Sequence, residues 1–66
     1  MVVPEGAVVI LVSDEEVEDG VRRWSLWFGD DEGDPITFIG HADTREAALD
    51  WGDELCERFN LEEVAE

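Results

Sequence analysis

Negative charge is the feature of this chain that most limits how it can fold. Of its 66 residues, 19 are Asp or Glu and only four are basic, which gives a formal net charge of −15. Repulsion among so many carboxylates opposes a compact state, and a chain of this length has only a small core to set against it. We therefore expect the acidity to have a role, such as binding a cationic partner or adapting the surface to a salt-rich solvent.

The composition nevertheless predicts one folded domain over residues 1–66. Hydrophobic residues make up 44% of the chain and include three Trp and three Phe, whereas disorder requires low hydrophobicity. The single cysteine, Cys56, excludes an internal disulfide and fits a reducing cytoplasm. The N-terminus lacks the basic start of a signal peptide, and the longest apolar run, residues 7–12, is too short to span a bilayer. We expect a cytoplasmic protein that does not enter membranes.

Three apolar segments predict a β-meander. The β-branched segment Ala7–Ser13 is typical of a buried strand. An Asp-Gly pair then gives a hairpin signal before the second strand, Val21–Gly29. A second acidic turn, residues 30–34, separates it from the third strand, Ile36–Gly40.

The last element is predicted to be a helix. Asp43 is the expected N-cap, with Glu46 as its capping-box partner, and Asn60 is the expected C-terminal cap. Apolar residues recur at helical spacing and form one stripe, made of Ala48, Trp51, Leu55 and Phe59. The predicted fold is therefore α+β: a three-stranded antiparallel β-meander with one C-terminal amphipathic helix packed on one face (β-β-β-α).

The second face of this sheet is predicted to be apolar and uncovered. Alternation along the second strand points Trp24 and Leu26 toward the helix and Trp27 away from it, with Ile39 as the expected neighbour of Trp27. Because one helix covers only one face, an apolar patch around Trp27 would remain exposed, as at an interface. We predict a homodimer or a partner contact through the Trp27 face; the alternative is a small second cluster closed by the chain termini.

Carboxylates are expected to line the outer side of the helix. Four acidic residues, which we call the acidic ridge, recur at spacings of four, three and four on the side opposite the apolar stripe: Glu46, Asp50, Asp53 and Glu57. A step of four residues rises roughly 6 Å, broadly comparable to the separation of phosphates in nucleic acid. In a meander the acidic turns at residues 14–19 and 30–34 lie beside the two helix ends, so Glu15, Glu16, Asp30 and Asp31 are further candidates for partner binding. The alternative interpretation is a merely solvated face.

Patterns of catalytic or metal-binding residues are missing from the sequence. The chain has no Lys and no Tyr, and a Cys-His pair of His41 and Cys56 is disfavoured because Cys56 flanks the apolar stripe. The loop at 30–34 does not match an EF-hand calcium site. That pattern requires a Glu at its twelfth position, which is position 41 here and is a His. A sheet with one helix also offers little concave volume for a ligand. We expect no enzymatic activity, no metal and no cofactor.

The ridge and the acidic turns resemble features of small acidic inhibitor proteins encoded by phages, including DNA-mimic proteins and anti-CRISPRs. This resemblance implies a non-catalytic inhibitor in the host-cell cytoplasm, whose carboxylates stand in for phosphates and block the basic groove of a nucleic-acid-handling protein. Direct binding to nucleic acid or to anionic membranes is disfavoured by like charge. Separately, the segment from Arg22-Arg23-Trp24 to Asp43-Thr44-Arg45-Glu46-Ala47-Ala48 resembles small strand-strand-helix domains of bacteria and phages, which implies a fold and no function.

Two other functions fit the same composition. The chain would also suit a small soluble housekeeping domain of a halophilic organism, or an accessory or antitoxin-like subunit of a basic partner. The response to salt separates the first of these from the inhibitor. A halophilic domain should need molar salt to fold, whereas a phosphate mimic should fold in dilute buffer and release its partner as salt rises.

Overall fold

A computed structural model describes residues 2–65, which form a four-stranded sheet with one helix across one face. The elements in chain order are β1 (Val9–Glu18), β2 (Val21–Gly29), β3 (Pro35–Ala42), α1 (Arg45–Phe59) and β4 (Glu62–Ala65). The strand order is β3-β2-β1-β4; the first three strands are antiparallel, and β4 runs parallel to β1. The α+β class is confirmed, while the sheet is mixed and has four strands rather than three. Among these elements, no helix is long and apolar enough to cross a membrane.

The first hairpin is longer than the sequence predicts. β1 continues through Glu18 instead of ending at Ser13, so most of the predicted acidic turn is strand. Acidic residues are poor strand formers, but here they pair with arginines across the ladder. Glu15 is the register partner of Arg23, and Arg22 contacts the Asp14 carboxylate at 3.1 Å. Such opposite-charge pairs stabilise neighbouring strands.

The sequence analysis assigns no element after Asn60, so the C-terminal strand β4 is an addition to the predicted fold. Asn60 adopts the left-handed conformation, with φ 57°, and ends the helix as its C-terminal cap, as the sequence predicts. The N–H of Leu61 then donates to the Cys56 carbonyl. The chain thereby reverses, and residues 62–65 pair with residues 9–12 along the free edge of β1.

The helix begins one residue later than predicted. Thr44, rather than Asp43, is the N-cap, and its hydroxyl oxygen accepts a hydrogen bond of 3.1 Å from the Ala47 N–H. Glu46 therefore does not occupy the third helical position that a capping box requires. The Asp43 carboxylate instead pairs with Arg23 at 3.4 Å.

The predicted apolar stripe of α1 packs on the sheet. Ala48 and Leu55 are buried, and Trp51 and Phe59 are half-buried. The sheet contributes four buried residues to this core: Ile10, Val12, Leu26 and Phe28. Trp51 packs on the bare backbone of Gly40, where an added Cβ would lie 2.5 Å from Cη2 of the indole.

Two register shifts make β3 irregular. They separate Leu26 from Trp27 and Phe28 from Gly29 in the pairing with β2. Phe38 consequently lies opposite Trp27, and the extra residue, Ile39, packs against the core on the helix side. The predicted contact between Trp27 and Ile39 is therefore wrong, because a bulge turns the side chain to the other face.

Candidate partner-binding surfaces

The structure distributes the predicted partner-binding residues over three places. The acidic ridge lies on the outer face of α1. Trp27 and Glu15 lie on the opposite side of the sheet, which we call the open face, because strand alternation puts them away from the buried Ile10 and Leu26. The remaining candidates lie at the two ends of the sheet. One continuous binding surface through all of them is therefore excluded.

The two acidic turns do lie beside the two helix ends, as a meander requires. At the helix start, the guanidinium of Arg45 lies 5.9 Å from the ring centroid of Trp24, in the hairpin of β1 and β2. At the helix end, Phe59 packs edge-on against Phe28, with 6.5 Å between ring centroids, just before the loop at residues 30–34. The ridge therefore runs from one acidic end of the molecule to the other.

The acidic ridge is not neutralised by the rest of the molecule. All four of its side chains are exposed, and among residues 2–65 none of them forms an ion pair. Each arginine is placed elsewhere: Arg22 with Asp14, Arg23 with Asp43, Arg58 with Glu54, and Arg45 over Trp24. The outer face of the helix therefore presents a row of uncompensated negative charges.

Cations are also unevenly distributed along the molecule. Three of the four arginines, Arg22, Arg23 and Arg45, lie at the end that holds the β1–β2 hairpin and the helix start. The loop at 30–34, at the other end, contains four acidic residues and no cation. The hairpin end therefore combines both signs of charge, whereas the loop at 30–34 presents negative charge alone.

Two of the predicted turn carboxylates hold the backbone. Oε1 of Glu16 accepts a hydrogen bond of 3.2 Å from the Gly20 N–H. Oδ1 of Asp30 accepts from the N–H groups of Glu32 and Asp34, at 3.0 and 2.9 Å. Acidic side chains commonly stabilise turns in this way. Glu16 and Asp30 thus stabilise the backbone of their turns. In the loop at 30–34, the exposed Asp31 is therefore the better candidate for partner binding.

The open face holds a groove that the sequence did not predict. Its volume is about 450 Å³. Trp27 stands at its centre and packs edge-on against Phe38 with 5.0 Å between ring centroids, and Phe38 in turn contacts His41 at 4.8 Å. The groove is lined by Leu11, Val12, Ser13, Glu15, Trp27, Gly33, Pro35 and Val64. The expectation of little concave volume is therefore wrong, since Val64 of β4, Pro35 of β3 and the backbone of Gly33 contribute to its walls.

A carboxyl group on the helix side of β4 is a second unpredicted feature. Glu63 is the register partner of Ile10 and faces α1, where its Oε2 atom is buried without a hydrogen-bond partner. Burial raises the pKa of Glu63, and the adjacent Asp53 carboxylate raises it further, because the protonated form of Glu63 can donate to Asp53 and is not repelled by it; Arg45 acts weakly in the opposite direction. No sequence pattern indicated this site, because it exists only once β4 docks.

The structure separates the only cysteine from the only histidine. Cys56 packs against the core on the helix side, whereas His41 is exposed on the open face, so the two side chains cannot form a catalytic pair. Burial, then the charges of Glu63 and Asp53, raise the pKa of Cys56 to about 11, which keeps it a thiol at neutral pH. Within residues 2–65, no three side chains of the metal-ligating types are grouped to hold an ion.

Comparison with known proteins gives no further guide. The chain matches no model of a protein family, and no similar curated protein or solved structure was found. The functional argument therefore rests on the two surfaces themselves.

Proposed function

We propose that this chain is a non-catalytic inhibitor that blocks the basic groove of a nucleic-acid-handling protein, as DNA-mimic and anti-CRISPR proteins do. The proposal is supported by the exposure of the acidic ridge and by its lack of compensating charge. Its four carboxylates are exposed, and none forms an ion pair within the part of the chain that the structure describes, although the chain has four arginines. A surface that is only solvated usually intersperses both signs.

The ridge is suited to imitate a phosphate backbone because its charges are held at fixed intervals. They lie on a single 15-residue helix, at steps of three and four residues, so neighbouring charges are separated by about 4.5–6 Å along the helix axis. At the helix end the exposed Asp31 continues the negative surface.

The proposed mechanism is competition. Lysines and arginines that would neutralise phosphates in the target's groove pair instead with carboxylates fixed on α1. Because the helix already fixes the spacing of the ridge along the backbone, binding has to order only the rotamers of its side chains. Charge complementarity raises the association rate, and added salt weakens the complex.

Reversal of the ridge charges tests this function directly. The target is first captured from a host lysate at low salt and then titrated with the parent in the presence of labelled DNA or RNA. We expect the parent to displace the nucleic acid, with an apparent affinity that falls steeply as salt rises. The variant with Asp50, Asp53 and Glu57 all changed to Lys should remain folded, because these side chains point to solvent, and should lose displacement.

A control variant changes the same net charge at other exposed sites. In it Glu5, Glu18 and Asp19, which lie away from the ridge, are changed to Lys. This control should displace the nucleic acid nearly as well as the parent. A ridge variant that stays folded and still displaces as the parent does would refute the ridge mechanism. Folding of the parent in dilute buffer, followed by circular dichroism, separates the inhibitor from a salt-requiring halophilic domain.

A further inference from the structure

The open face is poor in charge, although the chain as a whole is highly acidic. The acidic residues at the strand positions of this face are Glu15, Glu62 and Glu18, which a bulge pairs with Val21, and its only arginine is Arg23. By contrast, 19 of the 66 residues in the chain are acidic. A surface for a cationic partner would carry the acidity that this face lacks. The charge pattern therefore points to contact with another apolar, nearly neutral surface.

Four apolar residues form one row across the open face. Leu11 is the register partner of both Val64 and Trp27, and Trp27 is the partner of Phe38. The row thus runs through all four strands, with its two aromatic residues on β2 and β3 and its two aliphatic residues on β1 and β4. Its two ends are open to solvent, since 43% of Phe38 and 49% of Val64 is exposed.

We propose that a second copy of this chain covers the open face and forms a two-fold symmetric dimer with the acidic ridges on its two outer sides. The strand order β3-β2-β1-β4 allows this packing with a two-fold axis parallel to the strands. Such an axis places β2 of one copy over β1 of the other, and β3 over β4. Each aromatic residue of the row then meets an aliphatic residue of the second copy.

One pair of opposite charges on the open face is complementary under the same symmetry. Glu15 and Arg23 are register partners on β1 and β2. Because β2 of one copy lies over β1 of the other, Arg23 of each copy lies over Glu15 of the other copy. Opposite charges meet at the rim of the interface, where they fix the register of association.

The sheet edges are less suited to self-association than the face. The two register shifts in β3 interrupt its outer hydrogen-bonding edge, and β4 is short and carries Glu62 and Glu63. Bulges, short strands and charges are the usual protection of edges against strand addition. The overall extents of the chain are 33 × 21 × 20 Å. One broad face is thus close to the ~800 Å² that each partner gives to a standard interface.

The oligomeric state in solution tests the dimer. Sedimentation equilibrium of the parent should give twice the chain mass of 7.4 kDa. Because each copy has a net charge of −15, screening should strengthen the dimer as salt rises. This salt response is opposite to that expected for binding a basic target, so the two proposals can fail independently. A parent that stays monomeric at high protein concentration in moderate salt would overturn the dimer.

Two equally exposed residues provide a matched pair of variants. Phe38 and Val8 are both 43% exposed, but Val8 precedes β1 and is not part of the row. Phe38→Asp should raise the dimer dissociation constant at least tenfold, whereas Val8→Asp should leave it nearly unchanged. Val64→Asp, at the other end of the row, provides a second test if Phe38→Asp does not fold. Dimerisation of a folded Phe38→Asp or Val64→Asp variant at the parental constant would refute the interface.

Discussion

Oε2 of Glu63 is buried against Gly52, a residue in the middle of α1 that has no side chain to occupy that space. A Cβ on Gly52 would collide with this oxygen and would lie 3.3 Å from Cγ2 of Val12. The glycine costs helix stability, by roughly 1 kcal/mol relative to alanine. It thereby creates the room in which β4 docks, with an acidic side chain turned toward the helix.

Removing the charge of Glu63 should stabilise the protein near neutral pH. Glu63→Gln keeps the shape of the side chain, allows an N–H to donate to Asp53, and leaves no charge in the helix–sheet interface. We expect a higher free energy of unfolding in urea at neutral pH and little change at pH 4. Glu62→Gln, which alters the exposed neighbour on the other side of β4, is the control and should have a much smaller effect.

The contribution of Glu63 to the free energy of unfolding changes with pH in a defined direction. Because the pKa of Glu63 is raised in the folded state, that state binds more protons than the unfolded chain does. This group therefore makes stability fall as pH rises from the ordinary carboxyl pKa through the raised one. The difference in stability between Glu63→Gln and the parent should grow over the same interval. If the difference in stability between the two proteins stayed constant across this pH range, the pKa of Glu63 would not be raised in the folded state.

Cys56 should react slowly with alkylating reagents in the folded protein. A pKa of about 11 leaves roughly 0.1% thiolate at pH 8, compared with about a quarter for an ordinary cysteine. We expect alkylation by iodoacetamide at pH 8 to be on the order of a hundredfold slower in buffer than in denaturant. Glu63→Gln should accelerate the reaction of the folded protein, because the Glu63 charge contributes to the raised pKa. Equal rates in buffer and denaturant would show that the thiol is not shielded.

Gly40→Ala should destabilise the fold. The new Cβ would lie 2.5 Å from Cη2 and 3.2 Å from Cζ3 of Trp51, and the indole is held between the helix and the sheet. Overpacking of this kind costs about 1–3 kcal/mol. Thermal unfolding provides the measurement, and Trp51→Phe combined with Gly40→Ala provides the control. The smaller ring should recover part of the loss; no recovery would mean that the cost arises elsewhere.

Asp50→Lys should stabilise the protein. Asp50 has acidic neighbours three and four residues away, at Glu46, Asp53 and Glu54, and each such pair contributes about 0.2–0.5 kcal/mol when its sign is reversed. We expect a gain of about 1 kcal/mol at low ionic strength that diminishes with salt. Glu5→Lys makes the same change in net charge without helical neighbours and should gain less. Equal gains would show that net charge, rather than spacing on the helix, determines the effect.

The parts of the fold that the sequence predicted are those with a strong local signal. The second strand was predicted with its observed bounds because hydrophobic alternation and turn residues both mark it. The apolar stripe of α1 and the Asn60 cap follow from helical periodicity and from the conformational tolerance of Asn. The exposure of the acidic ridge follows from the same periodicity.

The features that were missed depend on contacts between distant segments. β4 consists of two glutamates, a valine and an alanine, which is too short a run to predict a strand, and it becomes one by pairing with the free edge of β1. The length of β1 depends on arginines of β2, and the pairing of Trp27 with Phe38 depends on a bulge in β3. The Glu63 site and the groove on the open face both follow from β4, so neither was accessible to local reasoning.

The uneven placement of the arginines makes the two ends of the molecule chemically different. Arg22, Arg23 and Arg45 lie among the acidic residues of the hairpin end, while the loop at 30–34 has no cation. A target surface that carries both signs of charge can therefore pair with the hairpin end, whereas the loop accepts cationic groups alone.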